Sequence, residues 1–168
     1  MNLKGSYRAL RNNSMAAMLA AIEIYNKPKF DYREECFSVL LVNAWELLLK
    51  AILSKNRQRI FYPKKRGEPY RTLSIQDALY KAREYFPSEI QYEPVAENLR
   101  MLIHYRNNVI HFYNQQEFGV VIYGLAQTSI INYRDILLSI FNKDIANIMT
   151  ISLLPLSFGP DNVAYLVG

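Results

Sequence analysis

Arg106, Asn107 and His111 stand in one short run, Arg-Asn-Asn-Val-Ile-His, whose side chains could do chemistry. A histidine, with an unperturbed pKa near ~6.5, takes up and gives back protons around neutral pH. An arginine keeps its charge and presents a planar fork of donors to phosphate or carboxylate oxygens. With residues 94–113 wound as a helix, Leu99, Leu102, Ile103, Val109, Ile110 and Tyr113 fall within about 60° of one line and make a core-facing stripe. Arg106 lies at the centre of that stripe. Its guanidinium must find a partner there, because an unpaired buried charge is costly and arginine does not give up its proton. Arg100, His104, Asn107 and His111 gather on a second line, roughly 130° round the helix.

Two readings of that helix stay open. It carries a site, or it carries a structural arginine that snorkels or pairs with a carboxylate, beside an ordinary histidine near a helix end. An ideal helix holds Arg106 and His111 about 140° apart. The two converge only if the arginine wraps round, the helix end distorts or a partner subunit completes the site. His104, seven residues before His111, stands nearly above it, either as an auxiliary site residue or as a polar-face histidine. Asn43, Glu46 and Lys50 form a polar strip at i, i+3 and i+7 of an otherwise apolar segment. Glu46 either pairs internally with Lys50 or meets Arg106 across the fold and holds it.

The elements that must position these residues follow from periodicity and caps. Residues 6–26 show apolar side chains at helical spacing, closed by Lys27-Pro28. Asp31 with Glu34 resembles a capping box that starts a second helix reaching residue 54. That helix is apolar nearly all round and belongs in the middle of its domain. Trp45, within it, is core or dimer interface, and Cys36 reads as a small packed side chain, since no histidine is near it in sequence. Residues 55–71 are basic and aromatic, and Pro63, Gly67 and Pro69 make them a loop with room for a short hairpin. Ser74 with Asp77 caps a third helix to residue 86, and residues 87–94 turn the chain. A fourth helix follows over residues 94–113, with Pro94 at its first position. Asn114-Gln115-Gln116 breaks it before a long fifth helix, residues 117–141. The expected architecture is an all-α, up-down bundle of about five helices in one domain, residues 1–142. Residues 143–168, apolar but rich in breakers, form an irregular tail or the start of a further region.

Composition sets the outer bounds. A chain of 168 residues, 51% hydrophobic and 21% charged, suits one globular domain with a substantial core. One cysteine admits no internal disulfide, and with two histidines it makes a structural zinc site improbable. No phosphate-cradling glycine loop, His-Glu-x-x-His or Gly-x-Ser-x-Gly occurs, which leaves kinase, metalloprotease and esterase readings without support. The N-terminus lacks the apolar core and cleavage site of a signal peptide, and Asn43, Glu46 and Lys50 interrupt the longest apolar stretch. A cytoplasmic protein with no membrane partner is the expectation. The net charge of +5 favours phosphate-bearing partners without establishing them.

The motif has a family likeness. Arg106-Asn107 followed shortly by His111 resembles the signature of HEPN domains, an arginine, often a polar residue after it, and a histidine a few residues on. The stretch Asn43-Ala44-Trp45-Glu46-Leu47-Leu48-Leu49-Lys50-Ala51 is similar to the second helix of those proteins. The likeness covers roughly residues 10–141, and the flanking stretch resembles an uncharacterised prokaryotic branch of that superfamily. It implies a helical bundle that dimerises and brings two copies of the motif to one cleft. It further implies a metal-independent endoribonuclease without cofactors, in a toxin–antitoxin or phage-defence setting, with an antitoxin or a fused effector as a further partner. The alternative within the family is a non-catalytic module that binds nucleotide or RNA or assembles a larger complex. The chemistry implied is cleavage of RNA by its own 2′-hydroxyl. His111 would move protons, Arg106 would neutralise phosphoryl oxygens, and Asn107, four residues before His111, would orient the imidazole or hold an oxygen. Lys64, Lys65 and Arg66 could then guide an RNA strand, with Tyr62 or Tyr70 as a stacking surface, unless that loop is merely solvated.

Overall fold

A computed structural model describes residues 6–29, 31–111 and 119–148. Among these the chain is an all-α bundle of five helices, as expected: α1 (Tyr7–Tyr25), α2 (Arg33–Lys55), α3 (Ile75–Ala82), α4 (Tyr92–His111) and α5 (Gly119–Phe141). The Ser6 hydroxyl accepts from the Ala9 amide and starts α1, and Asn26 closes it by donating from its side chain to the Ile22 carbonyl. Ser74 caps α3 in the same manner, accepting from the Asp77 amide at 3.1 Å.

α2 begins later than a capping box at Asp31 requires. Tyr32 occupies the cap position without a side-chain hydrogen bond, and Asp31 lies in the turn before it. The start rests on Glu34 and Glu35 in the first turn, which favour the positive end of the helix, and on Arg33, which donates to the Lys27 carbonyl. α4 likewise starts at Tyr92, two residues before Pro94. Proline is tolerated there because every amide of a first turn lacks an intrahelical partner.

The direction of each helix follows from its contacts. Tyr25 packs on Phe37 and Ser14 bonds to the Ala44 carbonyl, so α1 and α2 run antiparallel. The Tyr105 hydroxyl donates to Glu34 Oε2 at 3.1 Å, which places the C-terminal end of α4 beside the start of α2. Asn98 donates to the Leu125 carbonyl and Ser139 to Glu89, so α5 returns antiparallel to α4. The four long helices α1, α2, α4 and α5 thus alternate up and down, with α2 at the centre and packed against all four other helices. α2 is long and apolar enough to cross a membrane, but 67% of its most apolar window is buried inside the bundle.

A short polar network fixes the register of the core. Ser14 donates to the Ala44 carbonyl at 2.6 Å and accepts from the Tyr133 hydroxyl at 2.8 Å. Trp45, fully buried, donates its indole N–H to Ser129 at 2.7 Å and meets the Tyr133 ring edge-on. Each buried donor is thereby satisfied, and burial pushes the Tyr133 phenol far above its ordinary pKa. Trp45 is thus a core residue.

Residues 58–73 contain a tight hairpin-like excursion. An antiparallel bridge joins Phe61 and Thr72, backed by Tyr62 N–H to Arg71 O and Leu73 N–H to Ile60 O. Gly67 takes a positive φ of 81° in its turn, a conformation open to glycine. The chain also stays with the bundle beyond residue 142. Arg134 donates twice to Asp144 at 2.7 Å, the Asp144 carboxylate caps a 3-10 turn at Ile145–Asn147, and Ile145 is buried in the core. Residues 149–168, most of the expected tail, and Asn114 to Gln116, the expected helix break, lie outside the described residues.

Candidate functional site

The motif lies on the last two turns of α4, at the end of the bundle where α2 begins. Leu99, Leu102 and Ile103 are buried, as the wheel requires, and Arg106 continues their line. Arg106 is half-buried, and its Nε is fully enclosed with no hydrogen-bond partner among the described residues. Buried donors nearly always find partners, and a guanidinium cannot escape by losing its proton. An acceptor supplied from outside the described residues would satisfy it, and an anionic oxygen would do so best.

Asn107 and Asn108 are exposed beside Arg106, and His104 is exposed one turn earlier. Asn108 Nδ2 lies 2.9 Å from His104 Nε2. With the amide donating, Nε2 accepts and the His104 proton sits on Nδ1. Asn108 thus joins the polar stripe. Sequence reasoning used only the neighbouring asparagine, although the i, i+4 spacing from His104 was there to read. The backbone of α4 is helical through His111, whereas the His111 side chain lies outside the described residues. The backbone therefore keeps Arg106 and His111 about 140° apart up to that point, without a distortion that would bring them together.

Glu46 takes the internal of its two alternatives. Lys50, 4% exposed, donates to Glu46 Oε1 at 2.5 Å and to Thr72 Oγ1 at 3.0 Å. None of the described ion pairs joins Glu46 to Arg106. The pair instead ties the centre of α2 to the hairpin strand at Thr72. Asn43 is exposed, apart from that pair.

The basic loop is more committed than its composition suggests. The Tyr62 hydroxyl donates to Asp77 and accepts from the Ser74 amide, and the Arg71 guanidinium stacks on the Tyr62 ring. Hydrogen bonding from the Tyr62 side chain first and the Ser74 side chain second holds the Asp77 carboxyl below its usual range. Tyr62 therefore braces the start of α3. Tyr70 is 40% exposed, packs edge-on against Phe61, and carries Lys64 over its ring at 4.9 Å. Lys65 and Arg66 are exposed at the tip. Cys36 is a half-buried free thiol in the first turns of α2. Among the described residues no three His, Cys, Asp or Glu side chains gather as metal ligands would.

A family model described as a domain of unknown function, DUF3644, matches residues 9–164. No curated protein and no solved structure matches the chain.

Proposed function

The chain belongs to the DUF3644 family, and we propose that it is a metal-independent endoribonuclease of HEPN type, with Arg106, Asn107 and His111 as its site. The observation that carries this reading is the enclosed Nε of Arg106, without a partner among the described residues, on the helix that also holds the polar stripe. A scissile phosphate supplies the missing acceptor. In the cleavage step the 2′-oxygen bonds to phosphorus while the bond to the 5′-oxygen breaks. His111 takes the 2′-hydroxyl proton or gives one to the departing 5′-oxygen, and a second copy of the motif in a homodimer performs the complementary transfer. Arg106 neutralises the phosphoryl oxygens as their charge rises, and Asn107 holds an oxygen or the ring. In this reading the protein acts in the cytoplasm, in a toxin–antitoxin or phage-defence role.

The continuous helix through His111, which keeps the arginine and histidine on different faces, favours a second reading. In it the protein is a non-catalytic module that binds RNA or nucleotide, or assembles a larger complex through dimerisation.

Mixed RNA incubated with the protein in EDTA separates the two. The nuclease reading expects cleavage that leaves 2′,3′-cyclic phosphate ends and is lost in a folded Arg106→Ala/His111→Ala variant. Binding without turnover by a folded dimer would sink it in favour of the module.

A further inference from the structure

At the opposite end of the bundle, where α2 ends against α3, lies an open groove of about 650 Å³. Arg57, Arg59, Lys81 and Arg83 line it, together with Glu84 and the ring of Tyr80. Arg83 is paired with Glu93 at 3.0 Å, and Lys81 feels the field of Asp77 one turn away. Arg57 and Arg59 have no ion-pair partner among the described residues. Tyr80 is 75% exposed, an unusual position for so large a ring on a short helix whose other face is core.

The backbone at Arg57 is a second and independent observation. α2 ends in a Schellman arrangement: Arg57 N–H donates to the Ser54 carbonyl at 3.0 Å and Gln58 N–H to the Leu53 carbonyl at 2.8 Å. The residue after the cap must then adopt a left-handed conformation, the place where glycine is favoured. This chain sets an arginine there, at φ 59°. Complementing the helix dipole does not require it, because Lys55 already stands in the last turn and donates to the Ile140 carbonyl. The strained position directs a cation into the groove.

We propose that this groove binds the phosphodiester backbone of single-stranded RNA, with Tyr80 as the stacking platform for a base. Cations tracking a strand beside an exposed aromatic ring are the general means of holding single strands without reading sequence. The site is distinct from the motif on α4. Tyr105 ties that motif's end of the bundle to Glu34, and Leu53 in the groove is nineteen residues further along α2, a rise of about 28 Å. The inference rests on RNA as the ligand but not on its cleavage.

The test is fluorescence anisotropy with a labelled 2′-O-methyl oligouridylate, whose blocked 2′-oxygen prevents cleavage and isolates binding. Arg57→Gly combined with Arg59→Ala and Lys81→Ala should weaken binding at least about tenfold. It should also flatten the log–log salt dependence by about 2, since each single-strand phosphate contact contributes roughly 0.7. The glycine relieves the left-handed strain, so the thermal midpoint should not fall on its account. Tyr80→Ala should weaken binding about fivefold or more with little change in salt slope. In Arg106→Ala/His111→Ala, whatever its residual affinity, the part of the salt slope that depends on Arg57, Arg59 and Lys81 should persist while cleavage is lost, so the two sites fail separately. Unchanged affinity and slope in the folded triple variant would overturn the inference. Equal displacement of the probe by polyglutamate would overturn the assignment to nucleic acid.

Discussion

The two ends of this bundle arrange positive charge in opposite ways. At the α4 end one arginine is half-buried in line with leucines and an isoleucine, its Nε enclosed without a partner among the described residues, and its polar neighbours share a single helix. At the α3 end the cations are exposed, come from separate segments and surround open space. A charge held among apolar side chains interacts strongly but over short range, so its geometry matters more than its number. Exposed charges act over about 8–10 Å at ordinary ionic strength, are screened by salt, and add roughly one to another. The first arrangement suits a chemical step on a bound phosphate and the second suits capture of a strand.

The largest effect that tests this contrast is on turnover. Replacing Arg106 and His111 together should lower RNA cleavage by more than about 100-fold, the scale of losing a proton-transfer group or a preorganised charge. The salt slope of oligonucleotide binding carried by Arg57, Arg59 and Lys81 should persist. Salt should divide the ends the same way: raising it should weaken substrate capture steeply while single-turnover cleavage of saturating RNA barely moves. Gel-based single-turnover assays across a salt series give both quantities. Equal salt sensitivity of capture and chemistry would mean that the two ends are not functionally distinct.

The next effect concerns the pair between the two ends. Lys50 is buried and leans on Glu46, whose side chain keeps 32% of its exposure, and on Thr72. Glu46→Ala strands a buried ammonium. It should cost about 2 kcal/mol in urea denaturation, below the range for a wholly buried pair because Glu46 is partly solvated. Lys50→Met removes the buried charge, keeps the length and leaves a partly solvated Glu46, so it should cost less than Glu46→Ala. If Glu46 instead steadies Arg106 during catalysis, Glu46→Gln would lower cleavage by more than its loss of stability accounts for. Tyr133→Phe follows at about 1 kcal/mol, the usual loss for one buried hydrogen bond, since Ser14 retains the Ala44 carbonyl.

Local signals in the sequence were enough for most of the fold. Ser6 and Asn26 bound α1, Ser74 and Asp77 start α3, and the apolar run from Val39 to Leu53 makes α2 the central helix. These features act over one or two turns, so they can be read without knowing the tertiary structure. The misplaced starts of α2 and α4 came from signals that several nearby positions satisfy. An acidic residue helps anywhere in a first turn, and a proline is tolerated at more than one position there. The stripe on α4 was legible because it lies on one helix. The groove was not, since Arg59 and Lys81 come together only through the packing of α3 on α2. Nor does a sequence reveal that Arg57 sits where a glycine is expected, because that depends on how the chain leaves the helix.

The smallest effect lies just beyond α5 and is seen only in acid. Arg134 donates two hydrogen bonds to Asp144, and with the Ala146 amide this holds the Asp144 carboxyl at about 2, below its ordinary 3.8. A carboxyl whose folded pKa is depressed binds fewer protons in the folded state than in the unfolded one. Its contribution is therefore complete above pH 3.8 and is lost as the pH falls towards about 2. Asp144→Asn should remove that part of the acid limb while leaving the rest of the pH profile unchanged. The measurement is thermal melting at closely spaced pH values for the native chain and the variant. Parallel curves from pH 5 down to pH 2 would show that the clasp contributes nothing to stability. Curves that converge only at the acid end would show that the segment around buried Ile145 is secured to the bundle by this ion pair. The pair is exposed enough for solvent to screen it, so the expected shift in midpoint is small.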